Sequence, residues 1–486
     1  MRKTGINVFI LFFLLILTAS SGIAAETSSF ETLAARIDSI LGEVAENCTI
    51  AVKVVSLDSG ETVYERNARR LMVPASNTKL FTTAAALNYL GPDFTVNTSF
   101  YLRGDIDERG NLDGDLIIYG RGDPNISGRF TEHPTEIFDQ VVDDLKSLGL
   151  REIKGDIIGD DSYFDSCYYG PWPAADSQKW YAARVSALSF NDNCIDICVV
   201  PGNAPGQKPR IKESPESSYA RIINQANTTS RRNNSVWAAS GGGSSDVQLR
   251  GRIWMGKKEE LLNVPVETPA LFTATVFKES LQRKGIKVHG RARELEEELG
   301  SAVPPGLDPI INWRSLPFSE MIKVVNKRSQ NLHAELLLKQ IGLRTGRGAS
   351  FEGGTRAIHE FTQKIGLPVE DIDLHDGSGL CRTNQVTVHS VTGLLEYMDK
   401  SPWRSVYRES LATVGSDESL QSMVTMVPPG RVMGKTGSLK GVFAFSGYAD
   451  GETENFAFSI VANGLKNGSY SLKRARDRIC RELVRY

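Results

Sequence analysis

The stretch Pro74-Ala75-Ser76-Asn77-Thr78-Lys79-Leu80-Phe81-Thr82-Thr83-Ala84-Ala85-Ala86-Leu87-Asn88-Tyr89-Leu90 decides how this chain is read. Apolar or small residues at Leu80, Phe81, Ala84, Ala85, Leu87 and Leu90 recur at close to helical period, and Pro74 suits a first turn. The spacing predicts a helix with Ser76 at its N-terminus. On that helix Ser76 and Lys79 stand at i and i+3 and share one face. A serine hydroxyl is a poor nucleophile until a neighbouring base takes its proton. Lysine can be that base when burial or a second cation lowers its pKa.

Two further signatures follow in fixed order. Ser329-Gln330-Asn331 lies between two helical segments, Met321 to Asn326 and Leu332 to Ile341. Ser329 can there relay a proton to a leaving group, and the Asn331 amide can grip a substrate backbone. Lys435-Thr436-Gly437 sits on an extended segment. Lys435 and Thr436 can bind a substrate carboxylate, Lys435 can serve as the second cation, and Gly437 lets an extended peptide approach the backbone. Backbone N–H groups of Ser76 and Ser438 are the candidates for an oxyanion hole. Each string is weak alone, and SxN recurs at Ser189-Phe190-Asn191, in a segment expected to be structural. The order and wide spacing of all three point to a serine acyl-transfer site of the kind found in β-lactamases and penicillin-binding proteins.

Thr49 to Val55 and Glu61 to Glu65 read as a hairpin about Asp58-Ser59-Gly60. Arg431 to Lys435, Gly441 to Tyr448 and Asn455 to Val461 read as three more strands, with a turn at Asp450-Gly451, and Leu472 to Val484 as a closing amphipathic helix. Two N-terminal and three C-terminal strands predict an antiparallel five-stranded sheet flanked by helices, an α+β domain holding both chain ends. The middle, from about 93 to 309, is then an insertion. It is β-rich in pattern, with short pieces at Leu116 to Tyr119, Ile153 to Ile158 and Ile195 to Val200. A flexible loop is expected at Ser240 to Ser245, and an exit linker where acidic Glu294 to Glu298 gives way to Gly300 to Gly306.

The 486 residues, 41% of them hydrophobic, are enough for globular cores, and a net charge of -2 without a basic stripe disfavours nucleic acid as a partner. Residues 1–25 carry Arg2 and Lys3, an apolar run from Val8 to Leu17, then Ser20, Ser21, Gly22, Ala24 and Ala25. That pattern predicts a cleaved secretory signal, since the run is short for a bilayer span, and therefore an exported protein, periplasmic or extracellular, with at most peripheral membrane contact. Six cysteines are too few for a disulfide scaffold; buried free thiols are expected, with a Cys48 to Cys480 bridge as the alternative. Cys194 and Cys198 have no nearby His pair, so no metal and no cofactor is expected. Neither a zinc helix, a nucleophile elbow nor a phosphate-binding loop occurs; Gly120-Arg121-Gly122-Asp123-Pro124-Asn125 breaks the dinucleotide pattern at its last position. His375 is read as structural.

With these residues in hand, the chain resembles the class C low-molecular-mass penicillin-binding proteins, the D-alanyl-D-alanine carboxypeptidase/endopeptidase family. The likeness runs through ASNTKLFTTAAAL at Ala75, GDLIIYGRGDP at Gly114, GDDSYFD at Gly159 and SALSFNDN at Ser186. It continues through KVVNKRSQNLHAELLL at Lys323, HDGSGLCRTN at His375 and GKTGSLKGVFAFSGY at Gly434. It implies a penicillin-recognising domain in two parts, 26–92 and 310–486, interrupted by mainly β inserted domains at 93–309, with a nested inner domain at about 170–255. It also implies hydrolysis of peptidoglycan stem peptides through an acyl-enzyme on Ser76, and covalent inhibition by β-lactam antibiotics. The implied roles are Lys79 as general base, Ser329 as proton relay, Asn331 as substrate contact, Lys435 and Thr436 as carboxylate-binding groups, and Asp160 as a contact to the third stem residue.

Two positions depart from the family pattern: Gln330 stands where Asp is usual, and Cys381 where Ser is common. Rival readings are a β-lactamase or esterase on the same fold, against which the large insertion argues, and a non-catalytic peptidoglycan-binding protein. The intact Ser76, Lys79, Ser329, Asn331 and Lys435 argue against the last.

Overall fold

A computed structural model describes residues 30–44, 47–240, 245–295, 301–466 and 468–486. The expected signal segment, most of the Ser240 to Ser245 loop and the 296–300 part of the exit linker lie outside the described residues. The chain divides into two compact units. One comprises residues up to Asn77, Thr362–Asp373 and Gln385–Tyr486; the other comprises Thr78–Phe361 and Leu374–Asn384.

The first unit is built on a sheet drawn from both ends of the sequence. Its order is Thr62–Arg66, Thr49–Ser56, Asn455–Asn463, Val442–Asp450, Val432–Leu439 and Ala412–Thr413. The five expected strands are present, antiparallel throughout, and a two-residue sixth pairs with Met433 and Gly434. Strand alternation explains the layering. Val52, Val54, Phe443, Phe445, Phe456, Phe458 and Ile460 face a core closed by Leu33, Ile37 and Ile40 of helix 30–42 and by Leu472, Ile479 and Leu483 of Tyr470–Arg485. The opposite face carries small residues, Ala51, Ala444 and Val461, packed with Met72 and Val388.

The second unit holds a seven-stranded mixed sheet centred on Asn97–Ile106 and Asn111–Tyr119. The extended run expected from Ile153 to Ile158 is two strands, Glu152–Ile153 and Ile157–Asp160, parted at Lys154 to Asp156. Smaller sheets follow, among them Cys194–Val200 between Glu260–Pro265 and Arg210–Ser214. Two helices add to the β-rich pattern: Glu136–Ser147, burying Ile137, Phe138, Val141, Val142 and Leu145, and Pro269–Arg283. Their apolar faces meet the sheet in one core with Phe100, Ile118, Phe190, Phe272 and Phe277. Helix Thr78–Leu90 packs against Asn331–Arg344 in this same unit.

None of the six cysteines is in a disulfide, so Cys48 and Cys480 are not bridged. Cys194, Cys381 and Cys480 are buried as expected, whereas Cys167 is exposed.

Candidate active site

Ser76 does not open the α-helix directly. It lies half-buried in a one-turn 3-10 segment, Ala75–Asn77, and the α-helix begins at Thr78. Two local features set this turn apart. Ala75 has φ 48°, a left-handed conformation that costs a non-glycine residue energy and persists only where its surroundings hold it. Asn77 is fully buried and supplies that hold: its Nδ2 donates to the Lys435 carbonyl at 2.7 Å, and its Oδ1 accepts from Ser446 Oγ at 2.8 Å. The first and third signatures are thereby tied together within the first unit.

Gly437 completes the tie. A Cβ at this position would lie 2.9 Å from the Pro74 carbonyl oxygen and 3.2 Å from the Ser76 nitrogen. Glycine is therefore required for the Ser76 turn itself to pack on the strand, a reason distinct from substrate approach. On this strand Lys435 is buried with its Nζ donating to the Thr436 carbonyl at 2.8 Å, Thr436 is half-buried and Ser438 is exposed. The ladder to the short sixth strand covers only Met433 and Gly434.

The second unit carries the other candidates. Lys79 is fully buried, and its Nζ donates to Asn331 Oδ1 at 2.7 Å and to the Ser378 carbonyl at 2.6 Å. Asn331 is thus the first residue of its helix and a direct partner of Lys79, while its Nδ2 donates to the Tyr181 carbonyl at 2.8 Å. Burial lowers the Lys79 ammonium to about 8, against the opposing pull of Asp376 and Glu335. Its amine form is accordingly accessible near neutral pH, as a base requires.

Ser329, half-buried, precedes Asn331 with φ 59°. The neighbouring Gln330 is buried and donates from Nε2 to Asp192 Oδ2 at 2.5 Å. Burial works to raise the Asp192 carboxyl, but a hydrogen bond from His333 and the charge of Arg129, at 2.7 Å, hold it below its ordinary value. This gives the Gln330 departure a physical setting: an amide donor faces a carboxylate where a second acid would be repelled. Ser189 and Asn191 of the competing SxN string are buried, Ser189 bonded to the Ser186 carbonyl and Asn191 to that of Cys194.

Asp160 is placed differently from the other candidates. It ends the strand Ile157–Asp160, fully buried, and its carboxylate accepts from the backbone N–H groups of Ser162 and Ala302 and from Ser301 Oγ. Both of its oxygens are engaged in fixing two loops.

Two residues that the motif reading passed over stand behind Lys79. Glu335 is buried on the helix Asn331–Arg344, and Asp376 is buried in the loop Asp376 to Cys381. A carboxylate four residues after Asn331, set in the apolar run Leu332 to Ile341, was the available signal for Glu335.

The chain is similar to known proteins over most of its length. A D-alanyl-D-alanine carboxypeptidase of an Actinomadura species is 31% identical over 445 residues, covering 88% of this chain and 80% of that protein. The D-alanyl-D-alanine carboxypeptidase DacB of Haemophilus influenzae is 26% identical over 90% of each chain. Among solved structures, penicillin binding protein 4 from Haemophilus influenzae shares the fold with a TM-score of 0.79 at 24% identity, over 93% of this chain and 99% of that one. The chain belongs to the D-Ala-D-Ala carboxypeptidase 3 (S13) family, whose model matches residues 33–484.

Proposed function

We propose that this protein is an exported serine peptidase that cleaves the D-Ala-D-Ala bond of peptidoglycan stem peptides, with Ser76 as nucleophile and Lys79 as base. The observation that carries this reading is the buried Lys79 amine, held by Asn331 and Ser378 and lowered to about 8. Ser76 Oγ attacks the carbonyl carbon of the penultimate D-Ala and its proton passes to Lys79 Nζ. The peptide C–N bond breaks, the leaving amine takes a proton relayed through Ser329, and a seryl ester remains. Water then attacks the ester, releasing the shortened peptide and restoring the Ser76 hydroxyl. The N–H groups of Ser76 and Ser438 stabilise the oxyanion, and Lys435 and Thr436 bind the terminal carboxylate.

The edge of the strand beyond Gly434 suits an extended peptide added as a further strand. The same chemistry serves a terminal D-Ala and a D-Ala in a cross-link, so carboxypeptidase and endopeptidase action follow from one mechanism. β-Lactams mimic the scissile bond and trap the acyl-enzyme. The reading of residues 93–309 as inserted domains is supported by a sheet built from both chain ends. Export rests on the leader pattern of residues 1–25 and on family membership; among the described residues no helix is long and apolar enough to cross a membrane. Incubation with purified monomeric and cross-linked muropeptides, read by mass spectrometry, tests the proposal. Loss of one alanine from pentapeptides or conversion of cross-linked dimers to monomers supports it; unchanged substrates with folded protein contradict it.

A further inference from the structure

We propose that Glu335 is a positioning residue for Lys79, fixing the loop carbonyl that receives the Lys79 amine and balancing its charge when it takes up a proton. The inference rests on the reading of Lys79 as the base and adds a residue outside the three signatures.

The Glu335 carboxylate is 1% exposed and uses both oxygens on one loop: Oε2 accepts from the Gly377 N–H at 2.8 Å and Oε1 from the Ser378 N–H at 2.9 Å. The same loop turns its carbonyls the other way, Ser378 to Lys79 Nζ at 2.6 Å and Gly377 to Thr82 Oγ1 at 2.7 Å. Asp376 pins the far side, accepting from the N–H groups of Gly379 and Cys381 and from Asn384 Nδ2. The loop is thus clamped between a helix carboxylate and its own, with the Lys79 amine on its carbonyl side.

A lysine that accepts the Ser76 proton becomes an ammonium in a fully buried place, which is costly without a nearby anion. The ionisable groups acting on Glu335 are Asp376 from the loop and Lys79 from the helix Thr78–Leu90, and those acting on Lys79 are Asp376 and Glu335. On the same helix, His333 is engaged with Asp192 and Lys339 with Asp165. Burial raises the Glu335 carboxyl and lowers the Lys79 ammonium, and each opposes the other's shift through its charge.

The test is the acylation rate constant of the full chain with a fluorescent penicillin, measured from acid to alkaline pH for wild type, Glu335→Gln and Glu335→Asp, with thermal unfolding as a control. Glu335→Gln is expected to slow acylation by about 10²-fold, the scale of a misplaced catalytic group. Its acid limb should move to lower pH, because losing a negative charge favours the neutral amine. Glu335→Asp keeps the charge and should keep the limb while losing rate. An unshifted limb in a folded Glu335→Gln, or wild-type rates in both variants, overturns the proposal. Should Glu335→Gln fail to fold, Glu335→Asp decides: a reduced rate supports the inference and a wild-type rate overturns it. Lys79→Ala separates the two levels, since wild-type acylation there would sink the reading of Lys79 itself.

Discussion

The Ser76 turn and the Lys79 cradle specify their side chains by different physics. Around Ser76 the determinants are steric and neutral: a left-handed Ala75, the two-way hydrogen bonds of Asn77, and the absent side chain of Gly437. Around Lys79 they are ionic: an amine, two carboxylates and a clamped loop, all buried. The first region should tolerate changes of pH and fail on changes of volume. The second should respond to pH as well as to changes of placement. A nucleophile needs only placement, whereas a base needs placement and a protonation state, and the difference follows from that.

The largest effect expected is on the ionic side. Lys79→Ala should lower the rate of penicillin acylation by about 10²–10⁴-fold, the usual weight of a general base, in a stopped-flow or gel-based assay. For wild type, acylation should rise with pH as the Lys79 ammonium, near 8, loses its proton, and fall about tenfold per unit well below that value. A flat profile across this range would break the comparison at its ionic end.

Next comes the steric side. Gly437→Ala places a methyl group 2.9 Å from the Pro74 carbonyl, so backbone must move. We expect a stability loss of about 1–3 kcal/mol by urea unfolding, as for overpacked cores, and slowed acylation whose pH limb is unshifted. A variant of native stability and rate would show that the turn has more room than its geometry indicates.

Asp160→Asn sharpens the boundary of the site. Its carboxylate holds two loops, so the exchange should cost about 1–3 kcal/mol in stability and leave the penicillin acylation rate within about twofold of wild type. A selective rise in KM for muropeptides at native stability would show a substrate role for Asp160. The smallest effect belongs to Cys381→Ser. The thiol is buried against Thr383, a partner that a hydroxyl can also use, and the change in stability should stay within about 1 kcal/mol.

The five long strands and the closing helix of the first unit were legible, Asn455–Asn463 from its Phe, Ile and Val content and Tyr470–Arg485 from its amphipathic period, whereas helix 30–42 and the helix Val388–Lys400 were not read. The 3-10 turn at Ser76 was not legible, because Ala75 and Asn77 reveal their constraint only through the strand they touch. The helix Glu136–Ser147 was passed over although Ile137, Phe138, Val141, Val142 and Leu145 mark one face; the short flanking strands drew the reading toward β structure. In the site, Lys79 and Asn331 were readable as motif residues, and their direct bond was not. Glu335 and Asp376 stayed hidden since a single acid in an apolar run, or in a Gly-Ser loop, has no spacing rule to announce a shared partner 299 residues away along the chain, as Ser378 is from Lys79. Asp160 was read as a substrate contact from the family resemblance, and the hydrogen bonds that bury its carboxylate have no sequence signal.

The central claim, that Ser76 is the acylated nucleophile, is tested most directly by mass spectrometry of the protein after incubation with benzylpenicillin under native conditions. The account predicts one adduct per chain, on the peptide containing Ser76, and none in a folded Ser76→Ala variant. A folded wild-type protein without an adduct, or one modified at another residue, would contradict it.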